Sequence, residues 1–158
     1  MTVATDEEYA NEVFEIASQA RCEFSPFALP NEDGDCVEFF VSPNDFYAKR
    51  IDDYLTLYIE EGTDEVAGFV VKNISRILER VATQQAAYSF VIQDGEVRLE
   101  ALFTSMFLND GWQITHVREY RTVVDIAQSH QLDKVQISSI LERVRTVANT
   151  SGGSHAPV

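Results

Sequence analysis

A chain of 158 residues is the size of one domain, and such a domain buries roughly 70% of the surface its unfolded chain exposes. Its 45% hydrophobic, 24% charged and 11% aromatic content excludes a disordered tail, a collagen-like fibre and a disulfide scaffold. Against 26 Asp and Glu stand only 12 Lys and Arg, a formal net charge of -14, and the whole excess lies in the first part. Met1 to Glu65 holds 17 acidic and 3 basic residues, whereas Val66 to Val158 holds 9 of each. Nucleic-acid affinity comes from Lys and Arg displacing counterions, so the acidic half argues against phosphate partners and for a basic one.

The chain begins without a basic n-region or an apolar h-region and holds no run of about 18 apolar residues, which reads as a cytoplasmic protein with no membrane segment. Thr5 and Glu8 form a capping-box signature, and Tyr9, Val13, Ile16, Ala17 and Ala20 follow on one face, predicting a helix over 6–20. Between 21 and 35, Pro26, Pro30, Asn31, Asp33 and Gly34 fix turns or remove ladder donors, and a surface loop without any element is expected. Cys22 and Cys36 are too few for a disulfide framework and read as reduced, half-buried apolar residues.

Four runs rich in β-branched and aromatic residues follow, at 36–41, 46–51, 54–60 and 66–72, separated by Ser42-Pro43-Asn44, Asp52-Asp53 and Gly62-Thr63-Asp64. They predict antiparallel strands joined by tight turns. Leu55, Leu57 and Ile59 alternate with Tyr54, Thr56 and Tyr58, so the aliphatic face is assigned to the core. Asn73 is placed as the N-cap of a helix over 74–85 whose stripe is Ile74, Ile77, Leu78 and Val81. A strand is expected over 88–93, ended by Asp94-Gly95.

Residues 97–108 carry both periods, and helix is preferred because the alternation breaks at Leu102. Asn109-Asp110-Gly111 is a turn, 112–117 a short extended piece, and Tyr120, Val123, Val124 and Ala127 mark another helix. Asp133 and Gln136 resemble a capping box before the stripe Ile137, Ile140, Leu141, Val144 and Val147, so a helix over 134–148 is expected, packed on the domain or forming a homodimer seam. Residues 151–158 read as a flexible tail after a single domain over 1–150.

The stretch from Phe46 to Ile59, with Asp52-Asp53-Tyr54-Leu55-Thr56 at its centre, followed by Gly68-Phe69-Val70-Val71-Lys72-Asn73 and Ile74 to Leu78, resembles a family of small uncharacterised prokaryotic domains. These have a strand, a D-x-L-T strand, a glycine-containing strand and a short helix. The resemblance spans 46–80, implies a strand meander with a helix and a prokaryotic source, and brings no activity and no site residues with it.

Motifs with chemistry are scarce. Asp52-Asp53 and Asp64-Glu65 pair carboxylates as acid–base work or a cation would need, but both stand at turns, where Asp serves the backbone. Asn31-Glu32-Asp33-Gly34-Asp35 is oxygen-rich, yet the sixth position of an EF-hand loop falls on Cys36. His116, His130 and His155 accompany no strained-turn nucleophile, and neither a phosphate loop nor G-x-G-x-x-G occurs.

A helix-turn-helix register over 123–143 places Ile126, Ala127, Leu132, Ile137 and Ile140 suitably, with His130 and Gln131 out of pattern and Lys134, Gln136, Ser138, Ser139 and Arg143 offered to DNA.

The sequence therefore predicts an α+β domain, an antiparallel sheet of about five strands with flanking helices and a helical C-terminal portion. The functional expectation is a cytoplasmic, non-enzymatic interaction protein without metal or cofactor, of the immunity, antitoxin or adaptor kind. Its acidic half engages a basic protein through a surface of Phe46, Asp52, Asp53, Tyr54, Tyr58 and Phe69. The alternatives are a DNA-associated regulator using 123–143 and a hydrolase of unknown substrate.

Overall fold

The computed structural model describes residues 5–19, 23–83, 91–108, 115–137, 140 and 142. It is an α+β fold in which one five-stranded antiparallel sheet carries helices on one face. Helix α1 (Asp6–Gln19) starts at the expected capping box, where the Thr5 N–H donates to Glu8 Oε2 at 3.1 Å and the Glu8 N–H to Thr5 Oγ1 at 3.4 Å. Strands β1 (Phe27–Asn31), β2 (Cys36–Phe40), β3 (Phe46–Arg50), β4 (Leu55–Glu60) and β5 (Val66–Lys72) assemble in the order β1-β2-β5-β4-β3.

Two expectations are corrected here. Residues 27–31 are a strand, not loop: β1 is the edge strand beside β2, and at an edge the N–H that Pro30 lacks is not required. The sheet is also not a simple meander. β1 and β2 are neighbours, as are β3, β4 and β5 in turn, but β2 joins the far side of β5, so the connection 41–45 crosses three strand spacings, about 14 Å. It is pinned on the way, since the N–H groups of Val41 and Ser42 both donate to the Ala67 carbonyl at 2.8 and 3.1 Å and Ser42 Oγ donates to Glu60 at 3.0 Å.

Cross-strand partners fix the faces. Val37, Phe39, Leu55, Leu57, Phe69 and Val71 are paired across β2, β5 and β4 and form the core with Ile59, as the alternation predicts. Helices α2 (Ile74–Ala82), α3 (Leu99–Leu108) and α4 (Val117–Ser129) bury Ile77, Leu78, Leu102, Phe103, Val123 and Ala127 in the same cluster. A second sheet of three strands has β6 (Ile92–Gln93) and β7 (Glu96–Arg98) joined by Asp94-Gly95, both at positive φ as a primed hairpin turn requires, with β8 (Lys134–Gln136) beside β7. Residues 96–98 are thus strand, and the helix expected from 97 begins at Leu99.

The expected helix from Lys134 starts instead as β8. Val135 is buried opposite Val97 between exposed Lys134 and Gln136, and the Asp133 carbonyl accepts the Leu99 N–H at 2.9 Å rather than capping a helix. Ile137 and Ile140 are buried, while Leu141, Val144 and Val147 lie outside the described residues. Cys22, the 109–111 turn, the extended piece up to 114, the strand positions 88–90 and the tail likewise lie outside them.

Asn73 does not cap α2. It sits at φ 56° with its Nδ2 donating to the Asp53 carbonyl at 2.9 Å. The cap comes from Asp35, in the β1–β2 turn: its carbonyl accepts the Ile74 N–H at 3.2 Å and its carboxylate accepts the Ser75 N–H at 2.9 Å and hydroxyl at 2.6 Å. We expect Asp35→Ala to cost about 1–2 kcal/mol in urea denaturation, the range of a lost N-cap, and Asp35→Asn to cost less because one acceptor oxygen remains.

Candidate interaction surface

The face of the five-stranded sheet turned away from α2, α3 and α4 carries a row of aromatic rings. In register across the strands stand Phe27, Phe40, Gly68, Tyr58 and Ala48, with Phe46 one pair along β3 opposite Glu60. Successive ring centroids lie 5.2 Å apart for Phe27–Phe40, 5.7 Å for Phe40–Tyr58 and 4.4 Å for Tyr58–Phe46, and Phe24 extends the strip 6.2 Å beyond Phe27. These are the offset and tilted separations that aromatic pairs prefer. Phe24, Phe27 and Phe46 remain 37%, 44% and 38% exposed, with Leu29 beside them at 51%.

Gly68 makes the strip continuous. Phe40 and Tyr58 belong to strands on either side of β5, and their rings meet above it because nothing projects from residue 68. A Cβ there would stand 2.1 Å from the Phe39 carbonyl oxygen and 3.2 Å from Tyr58 Cδ2.

One end of the strip is acidic. The 41–45 connection and the 61–65 turn meet at that end, tied by the Glu61 N–H donating to the Asp45 carbonyl at 2.9 Å, while the Glu60 N–H donates to the Glu65 carbonyl at 2.7 Å across the turn. They place Asp45, Glu60, Glu61, Asp64 and Glu65 beside Phe46, with no Lys or Arg among residues 41–45 and 60–65.

The six residues expected from sequence divide three ways. Phe46 and Tyr58 lie in the strip. Asp52, Asp53 and Tyr54 lie at the opposite end, in the β3–β4 turn, where the carboxylates hold structure: Asp52 Oδ1 accepts the N–H groups of Tyr54 and Leu55, each at 2.8 Å, its Oδ2 accepts the Tyr120 hydroxyl at 2.7 Å, and Asp53 pairs with Arg50. Phe69 is on the helix-covered face, fully buried and stacked on Phe39 at 4.3 Å, so it is a core residue and not part of a surface. The rings that sequence reading left out are Phe24, Phe27 and Phe40. For Phe27 and Leu29 the signal was their alternation, hidden by the prolines on either side.

Other places offer less chemistry. A cavity of about 220 Å³ between α3 and α4 is lined by Phe103, Phe107, Tyr120 and Val124. Its charged groups are already engaged, Glu100 by the Gln128 amide and Arg121 by Asp125. No described group of three His, Cys, Asp or Glu is placed to hold a metal ion, and burial pushes the Cys36 thiol up, away from the reactive thiolate. Lys134, expected on a DNA-reading helix, is on strand β8. No described helix is long and apolar enough to cross a membrane.

Comparison with protein-family models, curated proteins and solved structures finds no match. The ring strip and its acidic end therefore have to be interpreted by their own chemistry.

Two tyrosines, Tyr58 in the strip and Tyr120 in the core, give the packing a measurable signature. Burial, then the charge and hydrogen bond of Glu38, push the Tyr58 phenol up to about 12; burial and the hydrogen bond to Asp52 push Tyr120 further. The fold thus favours the neutral phenols, a stabilisation present in full below the unfolded tyrosine value of about 10 and lost as pH rises through the folded ones. Urea midpoints should fall as pH is raised above about 10, and less steeply in Tyr58→Phe and Tyr120→Phe. Gly68→Ala should cost about 3 kcal/mol and alter the near-ultraviolet circular dichroism of the stacked rings.

Proposed function

We propose that the protein is a non-enzymatic interaction module whose contact surface is the aromatic strip and whose partner is a basic polypeptide. The observation that carries this reading is the juxtaposition of five rings, three of them well exposed, with the five carboxylates of Asp45, Glu60, Glu61, Asp64 and Glu65 at one end, on segments that hold no Lys or Arg. Aromatic side chains bring large contact area at low entropic cost, and rings bordered by uncompensated carboxylates favour Lys or Arg stems and heads. The same charge disfavours nucleic acid, whose phosphates the acidic end repels. An immunity, antitoxin or adaptor role agrees with such a surface.

The test uses a defined probe, a synthetic amphipathic peptide of Lys and Leu, with a Glu-for-Lys counterpart, and follows backbone amide shifts. The basic peptide should move the amides of Phe27, Ala48 and Gly68. Phe27→Ala with Phe46→Ala should weaken it at least tenfold, a loss of about 1.4 kcal/mol, while leaving the fold intact. Asp45→Lys with Glu61→Lys should weaken it as well. Binding that ignores the ring substitutions, or equal binding of the acidic peptide, would overturn the assignment.

A further inference from the structure

An independent observation concerns the outer edge of the sheet. β3 pairs with β4 on one side, has no described strand on the other, and all five of its residues are exposed. The phase of its hydrogen bonds is fixed at both ends. The Asp45 carbonyl accepts the Glu61 N–H at 2.9 Å, and the Ile51 N–H donates to the Leu55 carbonyl at 3.0 Å. Antiparallel strands alternate, so Tyr47 and Lys49 also turn their backbone groups to β4, and Phe46, Ala48 and Arg50 turn theirs outward.

Edge cations ordinarily guard against pairing, and β3 carries two, Lys49 and Arg50. What they guard against depends on register. A second copy in parallel register sets Lys49 against Lys49 and Arg50 against Arg50. An antiparallel copy centred on Lys49 again opposes the two lysines, and one centred on Tyr47 carries Arg50 past the end of the strand. Centred on Ala48, by contrast, all three outward residues meet outward residues within the strand. Phe46 then faces the partner's Arg50 on one side of the sheet, and Tyr47 faces the partner's Lys49 on the other. Each cation is met by a ring, the favourable cross-strand and cation–π arrangement.

We propose that the chain forms a symmetric homodimer by antiparallel pairing of β3 about Ala48, building a ten-stranded sheet. This is an isologous contact, closed by its own two-fold axis. Ala48 ends the row that contains Tyr58, so the two aromatic strips become one across the axis. The proposal does not rest on the basic partner: it concerns the edge, not the face.

The test is oligomeric state by sedimentation of the full chain from micromolar to millimolar concentration, with mass expected to rise to that of a dimer. Ala48→Pro removes only an outward N–H, which β4 does not use, and should leave circular dichroism unchanged while holding the chain monomeric. In a Cys22→Ser background, Ala48→Cys should give a disulfide-linked dimer on mild oxidation. Directly opposed residues there stand about 5.5 Å apart, within disulfide reach. Tyr47→Cys, opposite the partner's Lys49, should not cross-link. A wild-type chain that stays monomeric, a dimer that survives Ala48→Pro in a folded variant, or equal linking at 47 and 48 would overturn the proposal. If Ala48→Pro fails to fold, the two cysteine variants decide it. Phe27→Ala, on the far edge strand, tests the strip separately, and unchanged mass in that variant keeps the two readings apart.

Discussion

The carboxylate of Asp52 is the joint on which the layered arrangement depends. One oxygen closes the β3–β4 turn by accepting two backbone N–H groups, and the other accepts the hydroxyl of Tyr120, 68 residues later in the chain. Tyr120 is buried, with its ring edge-on to Phe103 at 4.8 Å. A buried phenol without a partner costs about 1–3 kcal/mol, so helix α4 has one low-energy way to lie against the sheet. Asp35 makes a second joint of the same kind, from the β1–β2 turn to the start of α2. Both joints draw helices to one face, and the aromatic strip is what remains on the other.

This division explains why the two faces look alike in sequence and differ in role. Phe39 and Phe40 are neighbours with nearly the same chemistry. Phe39 stacks on Phe69 inside the core, and Phe40 stacks on Tyr58 on the open side, because successive residues of a strand point to opposite faces. The choice between them is made by where α2 to α4 pack. The alternation of Leu55, Leu57 and Ile59 was sufficient to place β4, since its aliphatic side had no competing use. For 46–72 as a whole the strands and their order were legible for the same reason, while the place of β2 was not: nothing local in Ser42-Pro43-Asn44 tells that the chain passes β5 and β4 instead of turning back.

Where the sequence reading failed, a tertiary contact overrode a local signal. Asn73 and Asp133 are good capping residues by type, yet Asn73 lies in a left-handed conformation with its amide on Asp53, and Asp133 precedes a strand. The helix that Asn73 was expected to cap is capped from Asp35, 40 residues before the Ser75 it binds, a relation no window of local sequence contains. Lys134 to Gln136 have the composition of a helix turn and form a strand because Val97 offers Val135 a buried partner. Of the candidate surface, Phe46 and Tyr58 were legible as aromatics on a strand. Phe24, Phe27 and Phe40 were not, because Pro26 and Pro30 read as loop where an edge strand tolerates them.

The acidic excess separates by the same geometry. Glu8, Asp35, Glu38, Asp52 and Asp53 each accept or pair with a named group, and the fold requires several of them where they stand. At the other end of the sheet, the side chains of Asp45, Glu61 and Glu65 are exposed at the ends of strands whose joining bonds are made by backbone groups. Neutral residues would form those turns equally well, so stability does not account for a concentration of like charge there, and mutual repulsion works against it. A positively charged partner, as proposed for this end, would offset that cost. In the proposed contact the strip of rings would supply the area, and the carboxylates would set the sign of the partner.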